Sequence, residues 1–220
     1  MNLASGGQIS AVHLPNPQAR YTILFSHGNA EDIGRALPTL EKLKAMGFSV
    51  FAYDYQGYGT SSGFPSEQNA YQDVEAAYNY LVENLGVPSD RIIAHGRSLG
   101  GAVAINLVQK RPVGGLIIES SFLTAYRVVT RIPLFPFDKF KSISKIKQVW
   151  CPVLVIHGKR DQVIPFSHGE KLFLEANKPK ISFWVEEADH NNLLRMAGKG
   201  YEKALLDFVD LIEKSRESPQ

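Results

Sequence analysis

The chain has 220 residues, 44% hydrophobic and 21% charged, which is ordinary globular usage and excludes disordered, collagenous or coiled-coil proteins. Its 24 basic and 22 acidic side chains leave a net charge of +2, so it carries no electrostatic footprint for nucleic acid. Cys151 is the single cysteine, which excludes an internal disulfide and a multi-cysteine metal site and suits a reducing compartment.

No apolar run approaches the ~18 residues that span a bilayer, and Met1 to Gly7 lacks the pattern of a signal peptide. No Asn-x-Ser/Thr acceptor occurs. The expectation is a soluble, cytoplasmic protein. Because the chain opens almost directly on a strand-like segment, a trimmed upstream anchoring piece is left open.

Short runs rich in branched and aromatic residues alternate with stretches of helical period. The strand candidates in chain order are Ile9–Leu14, Tyr21–Ser26, Ser49–Asp54, Arg91–Ala94, Gly115–Glu119, Val153–His157 and Ser182–Val185. Helices are expected near 31–46, 66–85, 99–110, 167–177 and 198–214. Within the second, apolar residues recur at Ala70, Val74, Ala77, Tyr78 and Leu81, a 3.6-residue period, and Gly86 and Pro88 end it. Such alternation predicts an α/β fold: a mostly parallel sheet with helices on both faces. The middle strands are apolar almost throughout, as strands buried on both faces must be. The first segment alternates in polarity and belongs at a sheet edge.

No repeat or composition shift marks a second domain, so residues 1–220 read as one domain. The stretch from Phe122 to Trp150 (122–150) lacks a clear strand or long helix and is a candidate for a small cap.

Gly96-Arg97-Ser98-Leu99-Gly100 follows a buried strand and opens a helix, the setting in which G-x-S-x-G forms a nucleophile elbow. Such a turn holds Ser98 in a strained conformation and projects its hydroxyl from the C-terminal edge of the sheet. The Leu99 amide, at the helix N-terminus, points into the same space. A phosphate-binding turn is the competing reading, but G-x-G-x-x-G and Gly-Lys-Ser/Thr are both missing.

A serine nucleophile needs a base oriented by an acid, and this architecture supplies them in the order serine, acid, histidine. Asp161 follows the penultimate strand and His190 follows the last. The assignment is Ser98 as nucleophile, His190 as general base and then acid, and Asp161 orienting the imidazole. Glu119 is the alternative acid. Asp54 falls on the wrong side of the serine in chain order, and the Asp189 side chain should point away from its neighbour His190. His13 and His95 read as strand residues, His168 as a helix start, and His157 as too close to Asp161 in sequence to be its partner. Cys151 reads as a small buried hydrophobe.

The loop His27-Gly28-Asn29-Ala30 can lend a second oxyanion-hole amide, from Asn29 or Ala30. The plainer reading is a turn with Asn29 left-handed. In Tyr53-Asp54-Tyr55-Gln56-Gly57-Tyr58-Gly59 the tyrosines read first as packing and second as pocket lining.

These motifs together, in this order, resemble the α/β-hydrolase superfamily over essentially the whole chain. His-Gly-Asn-Ala, Gly-Arg-Ser-Leu-Gly and Gly-Lys-Arg-Asp-Gln-Val-Ile-Pro look most like its compact, nearly lidless, depalmitoylase-like branch. The resemblance implies cofactor-free serine hydrolysis of carboxylic esters or acyl thioesters, acting on a small molecule or an acylated protein. The membrane-associated members of that branch carry an N-terminal anchoring segment; none is visible here, so contact with a membrane surface is left possible but not indicated. Phe122, Leu123, Ile132, Leu134, Phe135 and Phe137 are equally candidates for an acyl-binding wall or for core. Lys139, Lys141, Lys145 and Lys147 read as a solvated face. The alternatives are a peptidase of the prolyl-oligopeptidase type and a hydrolase-fold protein that binds without turnover.

Overall fold

The apolar runs become β1 (Ala11–Leu14), β2 (Thr22–Ser26), β3 (Ser49–Tyr53), β4 (Ile92–Arg97), β5 (Gly115–Glu119), β6 (Val153–Gly158) and β7 (Lys180–Val185). They are seen in a computed structural model that describes residues 1–3, 6–125 and 139–217. The strands join in one sheet, ordered β1-β3-β2-β4-β5-β6-β7. Among the described strands only β1 runs antiparallel, and it sits at the edge with alternating exposure, as its polarity pattern requires. It starts two residues later than expected, because the Ile9 amide bonds to the Met1 carbonyl at 2.9 Å.

The described helices are α1 (Ile33–Ala45), α2 (Glu67–Asn79), α3 (Leu99–Val108), α4 (Ser142–Lys145), α5 (Phe166–Glu175), α6 (Leu193–Ala197) and α7 (Lys199–Glu217). Local chemistry starts two of them. Asp32 accepts the Arg35 amide at 2.8 Å and Ser66 accepts the Asn69 amide at 3.0 Å, each an N-cap. Helix α2 runs on through a wider π turn, Tyr80–Asn84, before Gly86 breaks it with φ +65°.

Strand side chains alternate between two cores. Leu24, Ala94, Leu116 and Val155 pack with Val74 of α2, Val103 of α3 and Leu172 of α5. Ile23, Ile93, Ile117 and Leu154 face the other way, against Leu40 of α1 and Leu205 and Phe208 of α7. Each Leu, Ile, Val or Phe among them contributes about 1.5–3 kcal/mol when fully buried. A one-residue slip would exchange the two sets, so burial fixes the register. The sheet thereby holds β4 in the middle, and Ser98 follows immediately at its C-terminal end.

Of the proposed cap, Ile132, Leu134, Phe135 and Phe137 lie outside the described residues. No described helix is long and apolar enough to cross a membrane.

Candidate active site

Ser98 adopts φ 54° and ψ −117°, a conformation that costs a non-glycine residue about 1–3 kcal/mol. The flanking glycines make it reachable: a Cβ on Gly96 would overlap the Gly100 carbonyl, and one on Gly100 would overlap the Ser26 carbonyl. The end of β5 and the residues after it secure the turn. The Ser98 amide donates to the Glu119 carbonyl at 2.8 Å, and the Ser121 hydroxyl donates to the Ser98 carbonyl at 2.8 Å.

The structure brings Ser98, His190 and Asp161 together from three separate loops. Ser98 Oγ lies 3.2 Å from His190 Nε2, and His190 Nδ1 lies 2.8 Å from Asp161 Oδ2. Asp161 Oδ1 accepts the amides of Val163 at 2.9 Å and Ile164 at 2.7 Å. Burial alone would raise the pKa of this carboxyl. Hydrogen bonds from His157, His190 and the Ile164 amide, with the charge of His190, instead hold it well below the usual carboxylate range.

His157 requires a correction. Its closeness in sequence does not keep it from Asp161: Nε2 lies 3.4 Å from Oδ2 and 2.9 Å from the Ile164 carbonyl. Four residues of chain fold back on themselves here, so the aspartate stands between two imidazoles.

The rival acids are engaged elsewhere. Glu119 faces His95 Nε2 at 3.2 Å and accepts the Tyr201 hydroxyl at 2.6 Å. Burial pushes its carboxyl pKa up, but His95, Arg97 and Tyr201 together bring it below the ordinary value. Asp54 accepts the Ile33 amide at 2.7 Å and lies 3.5 Å from His27. Asp189 accepts the amides of Asn191 and Asn192 and so points away from the imidazole of His190. Cys151 is half-buried, with burial pushing its thiol up to about 12.

Asn29 and Leu99 border the same cavity as Ser98. Leu99 opens α3, where backbone amides have no intrahelical acceptor. The left-handed residue of the early loop is Ala30, at φ 58°, rather than Asn29. Asn29 is held by its side chain, which accepts the Tyr58 hydroxyl at 2.5 Å.

That cavity has a volume of about 430 Å³. Tyr58, Ala70, Leu99, Phe122, Phe140 and Ile164 give it apolar walls, while Glu67 and Lys139 add charge. Tyr55 and Tyr58 therefore do line a pocket, and Tyr53 packs, bonded to Ser26 Oγ at 2.8 Å. Leu123 belongs to the core. Lys145 is no solvated lysine: Nζ lies 2.7 Å from Asn106 Oδ1, 2.9 Å from the Tyr71 hydroxyl and 4.1 Å from the Tyr71 ring centre. Beyond His190 a second, polar cleft of about 450 Å³ is bordered by Arg160, Gln162, Glu187 and Asp189, and Val163 borders both. Among the described residues no group of three His, Cys, Asp or Glu side chains is placed to hold a metal ion.

Sequence reasoning missed Arg97. Its guanidinium bonds to Glu31, to the His190 carbonyl and to Asn191 Oδ1, none of them nearby in sequence. The one available signal was its place beside the serine.

A strained serine on the turn after the middle parallel strand, faced by a histidine from the loop after β7, defines a protein of the α/β-hydrolase class. Comparison narrows this. Residues 17–142 match the family described as serine aminopeptidase, S33, and the chain belongs to that family within the α/β-hydrolase superfamily. The alpha/beta hydrolase domain-containing protein aho-3 of Caenorhabditis elegans is 38% identical over 205 residues, covering 90% of this chain and 60% of its own. The human alpha/beta hydrolase domain-containing protein 17C is 41% identical over 181 residues, covering 80% of this chain and 55% of its own. The chain thus spans little more than half the length of these relatives. Among solved structures, an esterase of Pyrococcus furiosus superposes with a TM-score of 0.81 at 18% identity, covering 95% of this chain and 87% of its own. A monoacylglycerol lipase of Paleococcus ferrophilus gives 0.73 at 20% identity, covering 94% of this chain and 99% of its own. At such identities the likeness is one of fold.

Proposed function

We propose that the protein is a serine hydrolase that cleaves carboxylic ester or acyl-thioester bonds through an acyl-enzyme on Ser98. The observation that carries this is the 3.2 Å approach of His190 Nε2 to Ser98 Oγ beside an apolar cavity. Ser98 Oγ attacks the carbonyl carbon as His190 Nε2 takes its proton. Ionised Asp161 holds the ring through Nδ1 and stabilises the imidazolium. The amides of Asn29 and Leu99 receive the developing oxyanion, a contribution of ~10²–10³ in turnover per donor. His190 then protonates the departing alcohol or thiol, which leaves over the polar cleft. Water, deprotonated by the same nitrogen, attacks the acyl-enzyme and releases the carboxylic acid.

The acyl chain occupies the cavity walled by Leu99, Phe122 and Ile164. Substrates are small acyl esters or acylated proteins, and the reaction uses no cofactor. A second reading, cleavage of a peptide bond, is favoured by the description of the family and by a carboxylate at the cavity, Glu67, whose Oε1 already accepts the Tyr71 hydroxyl and the Phe140 amide, both at 2.8 Å.

The deciding experiment is initial-rate hydrolysis of p-nitrophenyl esters from acetyl to palmitoyl, an acyl thioester and an aminoacyl amide. Ser98→Ala and His190→Ala serve as controls, with fluorophosphonate labelling of Ser98. Ester and thioester turnover that vanishes in both variants supports the reading. Turnover of the amide alone favours the peptidase. Labelling without turnover of any substrate points to a binding protein.

A further inference from the structure

We propose that Arg97 is a positioning residue that locks the loop carrying His190 to the loop carrying Asn29. The proposal rests on the reading of Ser98 and His190 as the reacting pair. Those two loops start from β7 and β2, with β4, β5 and β6 lying between them in the sheet. β2 and β7 therefore do not pair directly, and the sheet relates their loops only through three intervening strands. Arg97, the last residue of β4, reaches both.

The guanidinium offers five donors in a planar fork, and this site uses the fork on two sides. Nη1 pairs with Glu31 Oε1. The other oxygen of the same carboxylate accepts the Gly28 amide at 2.9 Å, next to the amide of Asn29. Nη2 donates to the His190 carbonyl at 2.9 Å and to Asn191 Oδ1 at 3.2 Å. Nε faces Glu119 Oε1 at 3.8 Å, which anchors the guanidinium over β5. The arginine side chain is only 15% exposed, so water competes little for its bonds to Glu31 and the His190 carbonyl, while the bond to Asn191 is exposed.

The histidine loop is already a closed unit. Asp189 accepts the amides of Asn191 and Asn192, and the Asn192 side chain bonds back to Asp189. What that unit lacks is attachment to the oxyanion side, and Arg97 supplies it. The result is a continuous path from the Gly28 amide through Glu31 and Arg97 to the backbone of His190. Arg97 touches neither substrate nor the reacting atoms. It fixes the distance between the base and the oxyanion amides, where a misplacement of about 1 Å costs ~10²-fold in rate.

The test compares wild type with Arg97→Ala, Arg97→Lys and Glu31→Ala, each confirmed as folded by its thermal midpoint. Ester kinetics should show kcat reduced ~10–100-fold in Arg97→Ala with KM little changed. Millimolar guanidinium should restore part of kcat in that variant, and Arg97→Lys should stay impaired, since an ammonium has no fork. Hydrogen exchange reads the clamp without any reaction. Segments 27–32 and 189–192 should both exchange faster in Arg97→Ala and in Glu31→Ala, while β5 and α7 stay protected. Faster exchange in only one loop, or unchanged kcat in Arg97→Ala, overturns the proposal. If wild type hydrolyses no substrate, the proposed reaction fails, and the exchange data alone decide the clamp.

Discussion

Asp161 Oδ2 stands 2.8 Å from His190 Nδ1, and Asp161 Oδ1 accepts two backbone amides of its own loop. The aspartate is thus held in place before it orients anything. His157, 3.4 Å away on the far side, adds a second imidazole. Such a carboxylate stays charged through acid conditions that would protonate an exposed one.

Acid stability follows from that environment. The folded pKa of Asp161 is depressed, so on acidification the unfolded chain takes the proton first, near its ordinary value of about 4. The stability that Asp161 contributes is complete above that value and is lost as the pH falls through it toward the folded pKa. Urea unfolding from pH 6 down to pH 3 should therefore show a steeper loss in wild type than in Asp161→Asn. Equal slopes would mean that the carboxylate is not held as described. At neutral pH the same variant should lose ~10²–10⁴ in kcat, because an amide does not stabilise the imidazolium.

Ser98→Ala should abolish both ester turnover and fluorophosphonate labelling while leaving the circular dichroism spectrum and thermal midpoint near wild type. His190→Ala should lower kcat by about 10³-fold or more. The double variant should be no worse than the worse single one, since the two side chains act as a unit. Additive losses would show that they act separately.

Gly100→Ala probes the elbow without touching a reacting group. Its added methyl meets the backbone carbonyl of Ser26, which cannot move without disturbing β2. A loss of about 3 kcal/mol or more is expected, at the upper end for overpacking. Denaturant titration measures it. A near-neutral variant would show that the turn has room to relax.

The cavity should set chain-length preference. Ala70 is buried on α2 and borders it, so Ala70→Phe places a ring in the acyl space. Each methylene excluded is worth ~1–3 kcal/mol in discrimination. The p-nitrophenyl ester optimum should move to shorter chains, with acetyl ester turnover largely kept. An unchanged profile would place the acyl chain elsewhere.

The elements were legible because their causes are local. Ser66 caps α2 from within its own turn, and Gly86 ends the following π turn at a positive φ. Ile23 and Leu24 separate onto opposite faces by the two-residue period of any strand. The glycines around Ser98 announced a turn too tight for a Cβ. Places after the last two strands pointed to Asp161 and His190, and chain order pointed away from Asp54.

What the sequence hid is long-range pairing. Glu119 looked free to serve as the acid, yet His95 and Tyr201 occupy it, the latter from 82 residues away. Lys145 looked solvated until Asn106 and the Tyr71 ring closed on it. Arg97 gave no local sign that it would meet Glu31, 66 residues before it, and the His190 carbonyl, 93 residues after it. Periodicity, capping and steric exclusion act over a few residues, so the sequence by itself determined the strands, the five longer helices and the turn that strains Ser98, but not the short helices α4 and α6. Which charged groups meet depends on how distant loops are stacked by the sheet, and burial makes those meetings strong. Only the tertiary structure could decide them.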